Sequence, residues 1–233
     1  MSSVEFARGI DRPMRLAEVL AVSIKAYGDR PWRYLLLGLL WAAALGVTRW
    51  LPFAADAVVV AAGFMIGFAL ATLFVTGTNR PGLTGAAWLG LIPLLVVVGG
   101  PAAWAALDPI TALIVSFWFA VATFALPVFL LEGSRDRERG QLGHVACRCR
   151  ELARTNYVHA LLTVLTLFLL LHLLGVLLAG ALAAFADNGD VAAQLIAHAV
   201  FMPLVFIGLV VLYGDQSARA RGEQVEVGLG AES

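Results

Sequence analysis

Three histidines, His159, His172 and His198, fall inside or beside long apolar stretches of the chain. An ionisable side chain at membrane depth is a default candidate for a proton relay, an ion path or a counter-charge to a ligand. His159 shares a helix face with Thr163, four residues on, whereas His172 stands on another face. His172 and His198 sit several residues in from the facing ends of two consecutive apolar stretches, so they could meet across a helix pair and line a cavity. A neutral histidine bonded to a backbone carbonyl is the commoner outcome for such residues. Glu132 is a different kind of candidate. It closes an apolar stretch directly before an arginine-rich block, where it can pair with an arginine and lock the next helix against the bundle, or simply end its helix at the water boundary. Cys147 and Cys149 form a C-x-C pair, too close for an ordinary disulfide and too few for a structural zinc, and are expected to pack as small apolar groups.

Catalytic machinery has no foothold in the sequence. It carries no G-x-S-x-G elbow, no H-E-x-x-H pair, no phosphate-binding loop and no clustered carboxylates within the apolar stretches. No compact polar segment could host a nucleotide or a nucleic acid. The expectation is a non-enzymatic protein with no cofactor, metal or nucleic-acid partner.

The elements that must position these residues follow from composition. Of 233 residues, 61% are hydrophobic and 14% charged. A soluble domain needs more charge to coat its surface, and a mean hydropathy of +0.86 predicts an all-α, polytopic membrane helix bundle. Six transmembrane helices are expected at about 34–50, 54–75, 86–107, 109–131, 158–185 and 191–213. Two stretches are amphipathic but too short to cross, at about 14–27 and 141–154, and are expected as interfacial helices. In the first, Leu16, Leu20, Ile24 and Tyr27 share a face, with Val19 beside them; in the second, Leu142, Val145, Cys149 and Leu152 do. Residues 1–213 read as one membrane domain, and 214–233 as a charged, disordered tail. No cleavable signal peptide is apparent. Gly63 and Gly67 form a G-x-x-x-G pair, expected to serve packing within the chain ahead of dimerisation. Gly99-Gly100-Pro101 interrupts the third span, either as a plain kink or as a broken helix beside a cavity.

Charge sets the predicted threading. Every lysine and arginine except Arg49 falls on one side of this map. Asp56, Asp108, Asp187 and Asp190 gather on the other. The positive-inside rule puts both termini in the cytoplasm, which an even number of spans also requires. Arg135, Arg137, Arg139, Arg148, Arg150 and Arg154, between the fourth and fifth spans, could attract anionic lipid headgroups at about 1 kcal/mol each; a solvated face that merely obeys the topology rule accounts for them equally well.

Three stretches resemble a bacterial family of polytopic membrane proteins, the membrane domain named after glycerophosphoryl diester phosphodiesterase. They are FARGIDRPMRLAEVLAVSIKAYGDRPWRYLLLGLL, then LPVFLLEG with its following basic helix, then LYGDQSARARGEQVEV. The matching positions are Glu18, Glu132, Gly133 and the tail motif Tyr213, Asp215, Arg219, Arg221 and Glu223; the tail spacing departs from the family pattern over residues 216–218. The phosphodiesterase activity in the family name belongs to a separate soluble domain, whose motif this chain lacks. The resemblance therefore implies a stand-alone bundle in the bacterial cytoplasmic (inner) membrane. The resulting expectation is a scaffold or accessory subunit at the cytoplasmic leaflet, with membrane lipids and a membrane-protein partner. The alternative is a transporter or lipid-handling protein with a polar cavity near His172 and His198.

Overall fold

The structure is a computed structural model and describes residues 13–48, 50–51, 53–77, 92–132, 141–183 and 189–231. Arg49, Arg80, Gly133, Arg135, Arg137, Arg139, Asp187, the turn after the second span and the start of the third lie outside the described residues. Among the described residues the chain is helical throughout, with no strand. Helix α1 is Leu16–Asp29, α2 Pro31–Thr48 and α3 Phe53–Thr76. A π-helical turn, Leu95–Gly99, leads into α4, Gly100–Leu107. Then come α5 Pro109–Ala122, α6 Ala125–Leu131, α7 Gln141–Thr155, α8 Tyr157–Ala183 and α9 Gly189–Ala231. The molecule is an all-α helical bundle. Among the described residues five segments are long and apolar enough to cross a membrane: α2, α3, α5 with α6, α8 and α9. Of the expected third span, the described residues hold the apolar stretch Ile92–Leu107.

Apolar burial alone cannot hold such a bundle together in lipid, because the lipid tails are equally apolar; close packing and internal polar contacts must do so. The centre is aromatic. The Phe64 ring lies 6.1 Å from Trp41, 6.0 Å from Phe68, 6.0 Å from Phe119 and 5.2 Å from Phe206, each edge-on. Edge-to-face pairs of this kind contribute about 0.5–1.5 kcal/mol each beyond their buried area. They join α2, α3, α5 and α9. Helix α9 is the hub: its span is the most enclosed, and it packs most extensively against α8 and then α2. Helices α2 and α8 are the least enclosed. The buried hydroxyls Ser23, Thr72, Ser116 and Thr163 each donate to the carbonyl four residues back, which satisfies them without a partner helix.

The prolines shape the helices through the carbonyls they leave unpaired. Proline has no N–H for the carbonyl four residues earlier, and its ring crowds that carbonyl. Pro127 accounts for the break at Thr123 and Phe124 between α5 and α6. Pro101 frees the Val97 carbonyl, which accepts a 3.2 Å bond from Trp118 Nε1 on α5. Pro203 frees the Ala199 carbonyl, which rests on Gly38 of α2. A Cβ at Gly38 would fall 1.8 Å from that oxygen, so only glycine fits. The G-x-x-x-G pair packs within the chain, Gly63 against Ala44 and Gly67 against the Phe206 ring.

Two expectations need correction. The segment from Gly214 is not a disordered tail: it continues α9 without a break to Ala231. Ala218 and Ala220 are buried beside the fully buried Asp215 and Gln216, so the first turns of the extension are part of the packed body. The two amphipathic helices do not reserve their apolar faces for lipid. Helix α1 lies on α9 through Val19, Ser23 and Ala26, a stripe turned from the expected face, and leaves Ile24 exposed. Helix α7 lies on α6 and α9 through Val145, Cys149, Leu152 and Ala153, and leaves Leu142 exposed.

Candidate functional site

A dense set of polar residues meets at the end of the bundle where α1, α7 and the extension of α9 come together. Asp215 is its centre. It sits one turn beyond the apolar run of α9, and its side chain is fully buried. Oδ1 accepts the Met14 backbone N–H at 2.5 Å. Oδ2 accepts from Arg219 Nε at 3.0 Å and lies 3.1 Å from His159 Nε2. The imidazole N–H is not aligned for a straight hydrogen bond, so this last contact is ionic proximity and not a directed bond. Arg219 also donates through Nη2 to the Met14 carbonyl at 2.5 Å. Both backbone groups of Met14 are thus held by one acid and one base a helical turn apart on α9. A carboxylate so enclosed is tolerated only when paired and hydrogen-bonded, and here every partner is supplied by the chain.

A second set of contacts fixes the junction of α7 and α8. Asn156 separates the two helices, and its Oδ1 caps α8 by accepting the His159 N–H at 3.0 Å. The fully buried Gln216 accepts from the Thr155 hydroxyl at 2.5 Å and donates to the Asn156 carbonyl at 3.4 Å. His159 is therefore placed by its own helix cap and by Gln216, directly beside Asp215.

Glu132 organises the neighbouring corner. It follows α6, accepts from Arg148 Nε at 3.1 Å and accepts the Tyr213 hydroxyl at 2.6 Å. Arg148 also pairs with Glu151 at 2.8 Å. Burial opposes the Arg148 cation, but Glu151 and Glu132 outweigh it and its pKa is raised. One carboxylate thereby ties α6, α7 and α9 together. Under this corner, burial above all, with Glu132 adding to it and Arg148 opposing, pushes the Cys149 thiol up to about 12. Cys149 is a packed thiol, whereas Cys147 is exposed.

The remaining sequence candidates divide. Arg150 and Arg154 are exposed on the outer side of α7, and Arg221 is exposed on α9. The Glu223 side chain lies outside the described residues. Glu18 accepts the Arg15 backbone N–H at 2.9 Å and so caps the start of α1. His172 and His198 converge on adjacent backbone carbonyls at the end of α4. His172 Nε2 lies 2.9 Å from the Ala105 carbonyl and His198 Nε2 lies 3.1 Å from the Ala106 carbonyl. They secure the end of α4, where the last helical carbonyls lack partners of their own. His198 lines a half-open cleft of about 180 Å³ with Asp56 and Gln194; His172 is not among its lining residues. Among the described residues no three His, Cys, Asp or Glu side chains are placed to hold a metal ion.

Sequence reasoning placed Asp215, Tyr213 and Arg219 through the family resemblance alone, and it missed Met14, Asn156 and Gln216. The signal for Asn156 was local: an Asn between two helical patterns, three residues before His159, is a helix cap. Met14 offers none, because it contributes only backbone. No family model, curated protein or solved structure matches the chain.

Proposed function

We propose that the protein is a non-enzymatic scaffold or accessory subunit of the bacterial cytoplasmic membrane. In this reading the end carrying Asp215 and Glu132 faces the cytoplasm, in keeping with the segregation of arginine in the sequence. The observation that carries it is how that end uses its polar groups. Asp215, Arg219, Glu132, Arg148 and Tyr213 are engaged by one another and by backbone, and their effect is to fasten α1 and α7 onto α9. Among the charged groups turned outward are the arginines Arg150, Arg154 and Arg221. A rigid platform with a basic outer face suits contact with anionic headgroups or an acidic partner; it does not suit chemistry on a substrate. The resemblance to the phosphodiesterase membrane-domain family adds support, since Glu132, Tyr213, Asp215 and Arg219 are among the positions that match.

The test is retention on purification. Wild type and an Arg150→Glu/Arg154→Glu variant are extracted in mild detergent, and the associated lipids and proteins are quantified. Two basic residues near a charged surface are worth roughly 2 kcal/mol, about a thirtyfold change in occupancy. Loss of enriched anionic lipid, or of one reproducible partner, in the variant is expected. Equal retention by both forms, or no enriched species with either, counts against the scaffold assignment.

A further inference from the structure

The opposite end of the bundle holds a cleft that the platform does not use. It lies between the end of α2, the start of α3, the end of α4 and the first turns of α9. Its polar lining is Thr48, Asp56, Gln194 and His198, and its apolar lining is Leu45, Val60, Leu107 and Leu195. Its volume of about 180 Å³ equals roughly six water molecules at ~30 Å³ each, which is small for a drug-sized ligand and ample for a headgroup.

Charge decides what fits. Asp56, in the first turn of α3, has no hydrogen bond or ion pair with the described residues, in contrast to Asp215 and Asp108. His198 has both ring nitrogens on carbonyl oxygens, Nδ1 at 2.8 Å from Gln194 and Nε2 at 3.1 Å from Ala106. The Thr48 hydroxyl donates to the Leu45 carbonyl at 2.7 Å and keeps its acceptor capacity. The cleft thus presents a carboxylate that has no partner among the described residues, further oxygen acceptors and leucine and valine methyls. Such a carboxylate between apolar walls near a membrane boundary calls for a positive counter-charge, and methyl-lined walls favour one that carries alkyl groups.

The geometry points to this cleft as a binding site for a small organic ammonium group, with Asp56 as its counter-ion and Leu45, Val60, Leu107 and Leu195 around its methylenes. This is independent of the scaffold assignment, which concerns the other end of the molecule. The same ammonium chemistry is carried by a phospholipid headgroup and by a free amine, and the two sources are separable by experiment. Full-length protein in detergent is titrated with short-chain phosphatidylethanolamine, with short-chain phosphatidylglycerol and with ethanolamine, and occupancy is read by native mass spectrometry. The variants are Asp56→Asn and, for comparison, Asp108→Asn. Phosphatidylethanolamine binding that weakens about tenfold in Asp56→Asn but not in Asp108→Asn, with phosphatidylglycerol unaffected, is the expected result; a tenfold change corresponds to one charge-assisted contact. The same dependence seen with ethanolamine alone assigns the site to a soluble amine. Thermal unfolding of both variants distinguishes a lost site from a lost fold. Binding of every probe unchanged in a folded Asp56→Asn protein, or no preference for an ammonium ligand in the wild type, overturns the assignment.

Discussion

At the scale of single residues, the structure separates groups that hold the protein together from groups that are merely present. Asp215 belongs to the first kind. Asp215→Asn removes the charge that faces Arg219 and His159 while keeping the shape. Hydrogen bonds to charged groups are worth about 1.5–3 kcal/mol, so a loss of that order is expected in thermal unfolding. Arg219→Met should cost about as much, and the double variant less than the sum, because the two removals share one interaction. Glu132 and Tyr213 form a second cycle, with Tyr213→Phe costing about 1.5–3 kcal/mol in wild type and close to nothing beside Glu132→Ala. The cysteines give a chemical readout. Cys147 is exposed and Cys149 is enclosed with its thiol pushed up to about 12, so maleimide should modify Cys147 alone in the folded protein near neutral pH. The sign of the pH effect follows. The folded-state value lies above the ordinary thiol value of 9.0, so the contribution of Cys149 to stability is intact below pH 9 and falls as pH rises toward 12. Why these residues were only partly legible is clear from Asp215. GDQSARARG reads as solvated because Asp, Gln and Ser are weak apolar signals. What buries Asp215 is a backbone amide 201 positions away, and no local pattern encodes that.

At the scale of elements, the long spans were legible because their hydropathy is strong, whereas the end of the last helix was not. The spans at 54–75, 109–131 and 158–185 lie within a few residues of α3, of α5 with α6, and of α8. The faces of the short helices were harder to read. An amphipathic helix on lipid and one on protein have the same period, and α1 is turned so that Ser23 faces inward because its hydroxyl is satisfied by the Val19 carbonyl. The contact between Gly38 and the Ala199 carbonyl gives a sharp prediction at this scale. Gly38→Ala forces α2 away from α9 and should cost about 1–3 kcal/mol, the usual range for overpacking. Gly46→Ala on the same helix meets nothing within 4 Å and should be neutral or stabilising by up to about 1 kcal/mol. Chemical denaturation of the two variants side by side checks both values. A Gly38→Ala protein as stable as Gly46→Ala would mean that α2 and α9 do not approach as described.

At the scale of the whole molecule, one helix unites both ends. Helix α9 begins beside the cleft with Gln194 and His198, passes through the aromatic centre at Phe206, and runs through the contacts of Asp215 on its way to Ala231. The bundle character was legible from composition alone; the fastening of the first helix to the last was not, because it is made by side chains meeting backbone across nearly the full length of the chain. The proposed orientation has its own check. A cysteine at Arg150 in a Cys147→Ser background should react with an impermeant maleimide only after the membrane is opened. The central claim is that Asp215 holds α1 on α9, and hydrogen exchange reads it directly in wild type and in Asp215→Ala, both in the same detergent. Amides of residues 16–29 should lose protection in the variant while those of α8 from Leu161 onward keep theirs. Unchanged protection of α1 in Asp215→Ala would contradict the account.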